Sequence, residues 1–494
     1  MFETAELGHK VSKEEYAAEV PKLREELLNA HFALKEAKLP VIIIVSGAEA
    51  AGKGEVVHRL NEWLDPRGVD TIAFGPQSDE ERERPAYWRF WRALPARGRV
   101  GIFFGSWYTE PILQRTYREI KNTQLDSALD QIAFFEKMLV DDGALIIKLW
   151  YHLSKKAQRK RLEEMEENPK TRWRVTPTDW KHYKLYNRFI TATERVIRRT
   201  DAGYAPWHLI EATDRRYREL TTGRIILQAL KERLAAPATP KPAPAKPLPA
   251  APAEDDDRVT ILDRVDLSQR LTVAQYDQQL AKFQGRLGQL AWAANQKGVS
   301  AVVVFEGWDA AGKGSAIRRV TQAMDPRLYR TVPIAAPTDE ERAHHHLWRF
   351  WRHLPRAGMT TIYDRSWYGR VLVERVEGFA RPDEWMRAYL EINHFEEQLA
   401  DSGIVLAKFW IHLSRDEQLR RFKQRQDIPF KQYKITAEDW RNREKWAAYA
   451  AAVNDMVART STQHAPWTLV AGNDKRFARV QILKTFCQRL EEAL

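Results

Sequence analysis

The chain repeats itself. Residues 81–108, ERERPAYWRFWRALPARGRVGIFFGSWY, align without a gap on residues 341–368, ERAHHHLWRFWRHLPRAGMTTIYDRSWY, and fourteen of the 28 positions are identical. The offset of 260 residues persists beyond this window. Gly47 matches Gly307, Lys53 matches Lys313, Trp150 matches Trp410, and Pro206-Trp207 matches Pro466-Trp467. Length alone suggests about three domains, but the repeat reduces this to two copies of one larger domain, residues 1–234 and 258–494. Between them, residues 235–257 read AAPATPKPAPAKPLPAAPAEDDD. Alternating proline and alanine with few apolar side chains cannot form a core, so a semi-extended linker ending in an acidic run is expected.

Both copies run through the same elements. A charged helical stretch (residues 11–38 and 272–297) precedes a short apolar strand, VIIIV or AVVVF, then a Gly-rich turn and a helix. A second strand ends at Phe103 or Tyr363. A third is ALIIKLWYHLS or GIVLAKFWIHLS, followed by a basic helix, and a last strand, PWHLIEA or PWTLVAG, leads into a C-terminal helix. Strands alternating with helices predict an α/β fold: tandem parallel sheets, each flanked by helices.

Strand, then GWDAAGKGS (residues 307–315), then helix is the context of a phosphate-binding P-loop, with Gly307 and Lys313 closing the G-x-x-x-x-G-K pattern. Such a loop aims backbone N–H groups at phosphate oxygens and adds the positive end of the following helix. The expected phosphate cradle is Gly307, Ala310, Ala311, Gly312, Gly314 and Ser315, with Lys313 as a point charge. Gly314 stands where a magnesium-binding Ser or Thr is usual. Asp309 lies inside the loop, where a carboxylate repels phosphate unless a divalent cation bridges the two, so Asp309 is expected to face Mg²⁺. Asp364 ends a strand after the P-loop, the place of a metal-directing acid, and Arg365 beside it can clamp a phosphate. Arg425, Lys431 and Lys434 flank a proline-containing break in RRFKQRQDIPFKQYKITAEDW (residues 420–440), which reads as a cationic helical lid closing over a phosphate chain. The weaker signals have structural readings. His344-His345-His346 reads as a polar surface turn, His152 and His412 as hydrogen-bonded structural residues, and the two WRFW segments as aromatic core or subunit contact.

Composition narrows the partners. Lys and Arg number 79 against 67 Asp and Glu, a net charge of +12, which favours polyanions. The longest aliphatic run, VIIIV, is far short of the about 20 residues a bilayer span needs, and no secretory signal is visible at the start. Cys487 is the only cysteine, which excludes an internal disulfide and suits the cytoplasm.

GWDAAGKG, YDRSWYGR and IPFKQYKITAEDW, in this order, resemble the polyphosphate kinase 2 family over nearly all of each copy. The resemblance implies P-loop kinases that move phosphoryl groups between inorganic polyphosphate and nucleotides with Mg²⁺. Two-copy chains resemble the subclass that phosphorylates AMP to ADP. It implies catalytic roles for Asp309, Lys313, Asp364 and Arg365, metal binding by Asp309 and Asp364, and polyphosphate binding by Arg425, Lys431 and Lys434. The first copy departs from this pattern: Glu49, Phe104 and Gly105 replace Asp309, Asp364 and Arg365. It is therefore expected to be a degenerate domain, with residues 258–494 catalytic. Polyphosphate and AMP or ADP are the expected partners, without membrane or nucleic acid, in a possible homo-oligomer. The rival readings are an ATP-dependent nucleoside monophosphate kinase and a non-catalytic polyanion binder.

Overall fold

The computed structural model describes residues 1–236, 259–428, 435 and 437–494. These divide into two compact units, each built on a five-stranded sheet. In the first copy the strands are β1 (Val41–Gly47), β2 (Val69–Ala73), β3 (Val100–Phe104), β4 (Leu145–His152) and β5 (Trp207–Glu211), ordered β2-β3-β1-β4-β5. In the second they are β6 (Ala301–Gly307), β7 (Tyr329–Pro333), β8 (Thr360–Asp364), β9 (Val405–His412) and β10 (Trp467–Ala471), ordered β7-β8-β6-β9-β10. All pairings are parallel. The central strands β1 and β6 are β-branched and buried almost throughout, as a strand covered on both faces by helices requires.

The edge strands β2 and β7 were not legible in the sequence. VDTIA and YRTVP are mostly exposed and carry Asp70 or Pro333, so neither shows a buried run or clean alternation. Proline is admissible there because an edge strand leaves one side of its backbone unpaired. The expected linker falls largely outside the described residues, and Ala235 closes the helix Arg215–Ala235. The aromatic residues of both WRFW segments are buried, as core. The histidine triplet is not a surface turn: His345 is buried, and His346 Nε2 lies 2.6 Å from a Glu391 carboxylate oxygen. His152 and His412 close β4 and β9, each with a ring nitrogen engaged, by Glu6 and by the Trp308 indole.

Under the sheet of the second copy lies a fully buried ion pair. Lys408 of β9 donates to Glu396 Oε2 (2.7 Å), the Tyr368 hydroxyl (2.7 Å) and the Thr460 carbonyl (2.8 Å). The first copy repeats it with Lys148, Glu136, Tyr108 and Thr200. Burial opposes the charged form of Lys408, of Lys148 and of Glu136, so each lysine is tolerable in the core only beside its glutamate. Replacing one partner strands the other in the core. Lys408→Met should therefore cost about 3–5 kcal/mol in unfolding free energy, and Lys408→Met with Glu396→Leu should recover much of that loss in the same denaturant titration.

Candidate active site

The sheet order places the carboxyl ends of β6 and its neighbours β8 and β9 around one crevice, where open parallel sheets bind ligands. Register does the positioning. Gly307, last in β6, lies opposite Ile411, and Phe305 lies opposite Asp364. At Gly307 φ is +149°, and a Cβ there would stand 2.6 Å from the Ile411 carbonyl oxygen, so only glycine lets the chain turn into the loop. Ala310 (φ 62°) and Gly312 (φ 113°) continue the turn into the helix Lys313–Thr321. Among the described residues, the amides of Ala310, Gly312, Lys313 and Gly314 have no hydrogen-bond acceptor, which is the arrangement of an anion cradle. Ala311 is buried behind them, and the Ser315 hydroxyl is turned back to the Gly312 carbonyl (2.9 Å).

The loop is held from behind by groups the sequence did not single out. Arg421, on the helix Arg415–Asp427, is buried and donates to the carbonyls of Ala310 (3.0 Å), Ala311 (2.9 Å), Gly472 (2.6 Å) and Asn473 (3.0 Å). It belongs to the basic stretch read as a lid, yet it clamps the loop rather than facing a ligand. Trp308 donates its indole N–H to His412 Nδ1 (3.0 Å) and stacks on Trp446, 3.8 Å between ring centroids.

An open pocket lies over this loop. Gly307, Asp309, Lys313 and Arg365 line it together. Lys313 Nζ donates to the Gly307 carbonyl (2.7 Å) and the Trp308 carbonyl (3.3 Å). Asp309 accepts from Asn442 Nδ2 (2.9 Å) and lies 3.6 Å from the Arg365 guanidinium. Asp364 does not line the cavity but sits at the adjoining strand end, half-buried, with no partner for its carboxylate among the described residues. Arg365 adopts φ 65°, a left-handed conformation costly for a residue with a Cβ, and its amide donates to Phe305 O (3.0 Å). Two carboxylates of this kind, one unpaired at a strand end and one inside a phosphate cradle, fit the oxygen donors of a hard divalent cation. Arg425 lies in the last turn of its helix, half-buried, while Lys431 and Lys434 fall outside the described residues.

Three further side chains belong to the site. Glu306 is buried, accepts from the Ser366 hydroxyl (2.8 Å), and has its pKa raised by burial. Tyr449, pushed up in pKa mainly by burial, has its hydroxyl 3.3 Å from Asn442 Oδ1 and 3.4 Å from Glu377 Oε1 and donates its one proton to either oxygen. Glu377 in turn holds Lys445 (2.8 Å). This chain ties the helices Ala437–Glu444 and Trp446–Thr460 to Asp309.

Comparison with known proteins decides the family. The model for Polyphosphate kinase 2 matches residues 10–237 and again 270–494. The chain belongs to the polyphosphate kinase 2 family. It is similar to the polyphosphate:AMP phosphotransferase of Pseudomonas aeruginosa, 54% identical over 495 residues covering 100% of this chain and 99% of that one. It is also similar to the protein of that name from Acinetobacter johnsonii, 37% identical over 473 residues, 94% of this chain and 95% of the relative. A crystal structure of a polyphosphate kinase 2 from P. aeruginosa superposes with a TM-score of 0.90 at 52% identity, covering 100% of this chain and 99% of the other.

The first copy of this family fold keeps the loop, exchanges the loop aspartate for Glu49 and loses the strand-end acid. Ala50 (φ 59°) and Gly52 (φ 79°) repeat the turn, and Lys53 Nζ donates to the carbonyls of Gly47 (2.8 Å) and Ala48 (3.2 Å). Glu49 lies 3.6 Å from Lys53 and 3.0 Å from His182 Nδ1. Lys53 first, then His182, hold its carboxyl down at about 2, against an ordinary 4.5. A depressed carboxyl stabilises the fold above its unfolded value and loses that contribution as pH falls towards the folded value. Glu49→Gln should therefore lower the unfolding temperature at neutral pH, and the deficit should shrink as pH falls from 4.5 towards about 2.

Proposed function

We propose that this chain is a polyphosphate:AMP phosphotransferase, moving a terminal phosphoryl group from inorganic polyphosphate to AMP to give ADP, with residues 258–494 as the catalytic domain. One observation carries the reading: a P-loop cradle with unengaged amides shares its cavity with Lys313, Asp309 and Arg365, and Asp364 ends the next strand. The full-length similarity to polyphosphate:AMP phosphotransferases supports AMP as the acceptor.

The acceptor, a phosphate oxygen of AMP, is already ionised at neutral pH and needs little general-base help. What the protein must do is bring two polyanions into line and neutralise the charge that develops between them. The loop amides and Lys313 hold the donor end of the polyphosphate. Arg365, near the loop and exposed on one side, reaches the transferring phosphoryl group and forms bidentate contacts there. Asp309 and Asp364 would hold Mg²⁺, which when bound supplies charge neutralisation between donor and acceptor. Asn442 fixes the Asp309 carboxylate, and the Tyr449–Glu377–Lys445 chain fixes Asn442. Arg425, Lys431 and Lys434 are assigned to the polyphosphate chain, which must be shielded from water if transfer is to outrun hydrolysis.

In the first copy Glu49 stands for Asp309 while Phe104 and Gly105 replace Asp364 and Arg365, so it is assigned no phosphoryl transfer. A cytoplasmic setting agrees with the lone thiol, Cys487, buried and with its pKa pushed up to about 12 by burial. No described helix is long and apolar enough to cross a membrane.

Incubation with AMP, polyphosphate and Mg²⁺, without ATP, should yield ADP by nucleotide chromatography; a requirement for ATP would instead identify a nucleoside monophosphate kinase. Lys313→Ala and Asp364→Asn should each lower turnover by about 10² or more. Near-normal turnover in both would remove these residues from the mechanism.

A further inference from the structure

We infer that the first copy holds a second ligand site, one that takes a nucleoside monophosphate without metal and without turnover. The site stands apart from the phosphotransfer assigned to the second copy. Its phosphate end is the retained loop. The amides of Ala50, Gly52, Lys53 and Gly54 have no acceptor among the described residues, and Lys53 is held beside them by its two carbonyl contacts. Above the loop opens a pocket roomier than that of the second copy. Trp150 lines it, 1% exposed, and its indole Nε1 has no hydrogen-bond partner among the described residues. The matching Trp410 of the second-copy cavity is in the same condition.

The exchanges between the copies say what that ligand is. Glu306, Asp364, Arg365 and Tyr449 of the second copy become Ser46, Phe104, Gly105 and Phe189. Each exchange removes a charge or a hydroxyl-bearing ring, and Phe104, Phe189 and Trp150 now form apolar walls. Glu49 is the one carboxylate left in the lining, and it already answers Lys53 and His182. A single engaged carboxylate is a poor site for a divalent cation, and so for a metal-loaded polyphosphate. The neighbouring helix opposes a long polyanion as well. It reads Glu163, Glu164, Glu166 and Glu167 where the second copy has Lys423, Gln424, Gln426 and Asp427, and Met165 replaces Arg425. What remains is a cradle for one phosphate joined to an apolar, aromatic-walled volume. An aromatic base on a single phosphate matches both ends, since rings stack well on such walls.

The test uses the full-length chain in EDTA with 8-azido-AMP, irradiation, and peptide mapping. Label should appear on first-copy peptides containing residues 104–113 or 182–189. Lys53→Ala should lower that label about tenfold or more, the scale of one charge-assisted contact. Phe104→Asp, which returns the second copy's acid to the cavity, should also lower it, and circular dichroism checks that both variants fold. Unlabelled AMP should compete and tripolyphosphate should not. Label confined to second-copy peptides overturns the site, as does first-copy label indifferent to both substitutions. Displacement by tripolyphosphate as readily as by AMP overturns the ligand class. No outcome depends on phosphoryl transfer, so failure here is separate from failure of the catalytic reading.

Discussion

The site depends on a parallel register. Because β6 lies between β8 and β9, the chain leaves the sheet at the point where the strands on either side also end. Gly307 must pass the Ile411 backbone at a distance no side chain allows, and that close passage sets the first turn of the loop. Asp364 and Arg365 follow from the same register, one strand over. A slip of one residue would turn Asp364 to the other face of the sheet and break the site.

The buried ion pairs show a different kind of constraint. Lys408 and Glu396 are far more expensive to bury than a pair of apolar residues, yet Lys148 and Glu136 repeat them in the other copy. Each lysine joins a strand, a helix carbonyl and a tyrosine at the start of the segment after the metal-directing strand. Directional bonds of this kind fix the angle between sheet and helices, which apolar packing alone leaves looser. Their survival in a copy that has lost its strand-end acid indicates service to the fold rather than to chemistry.

Much of this was legible because the copies could be read against one another. The shared offset exposed the loops, the central strands and the loss at Phe104 and Gly105. The edge strands were hidden because their exposed residues carry no periodic signal. Arg421 was hidden for another reason. In sequence it is one cation among several in a basic stretch, and only the fold reveals that it turns inward. Glu306, Asn442 and Glu377 could have been found as positions where the copies differ next to the loop, since Ser46, His182 and Tyr117 replace them.

The two loops are propped by different arginines. In the first copy Arg218, from the C-terminal helix Arg215–Ala235, reaches the Ala51 carbonyl, while the flanking helix Lys155–Glu167 contributes Gln158 to Glu49 O and Arg161, the match of Arg421, to Glu55. In the second copy Arg421 sits on the very helix that carries Arg425 six ångströms of rise further on, about four residues at 1.5 Å each. The second cradle is therefore tied to the helix that carries Arg425, while the first is tied to the C-terminal helix of its own copy, so the two loops answer to different parts of the fold.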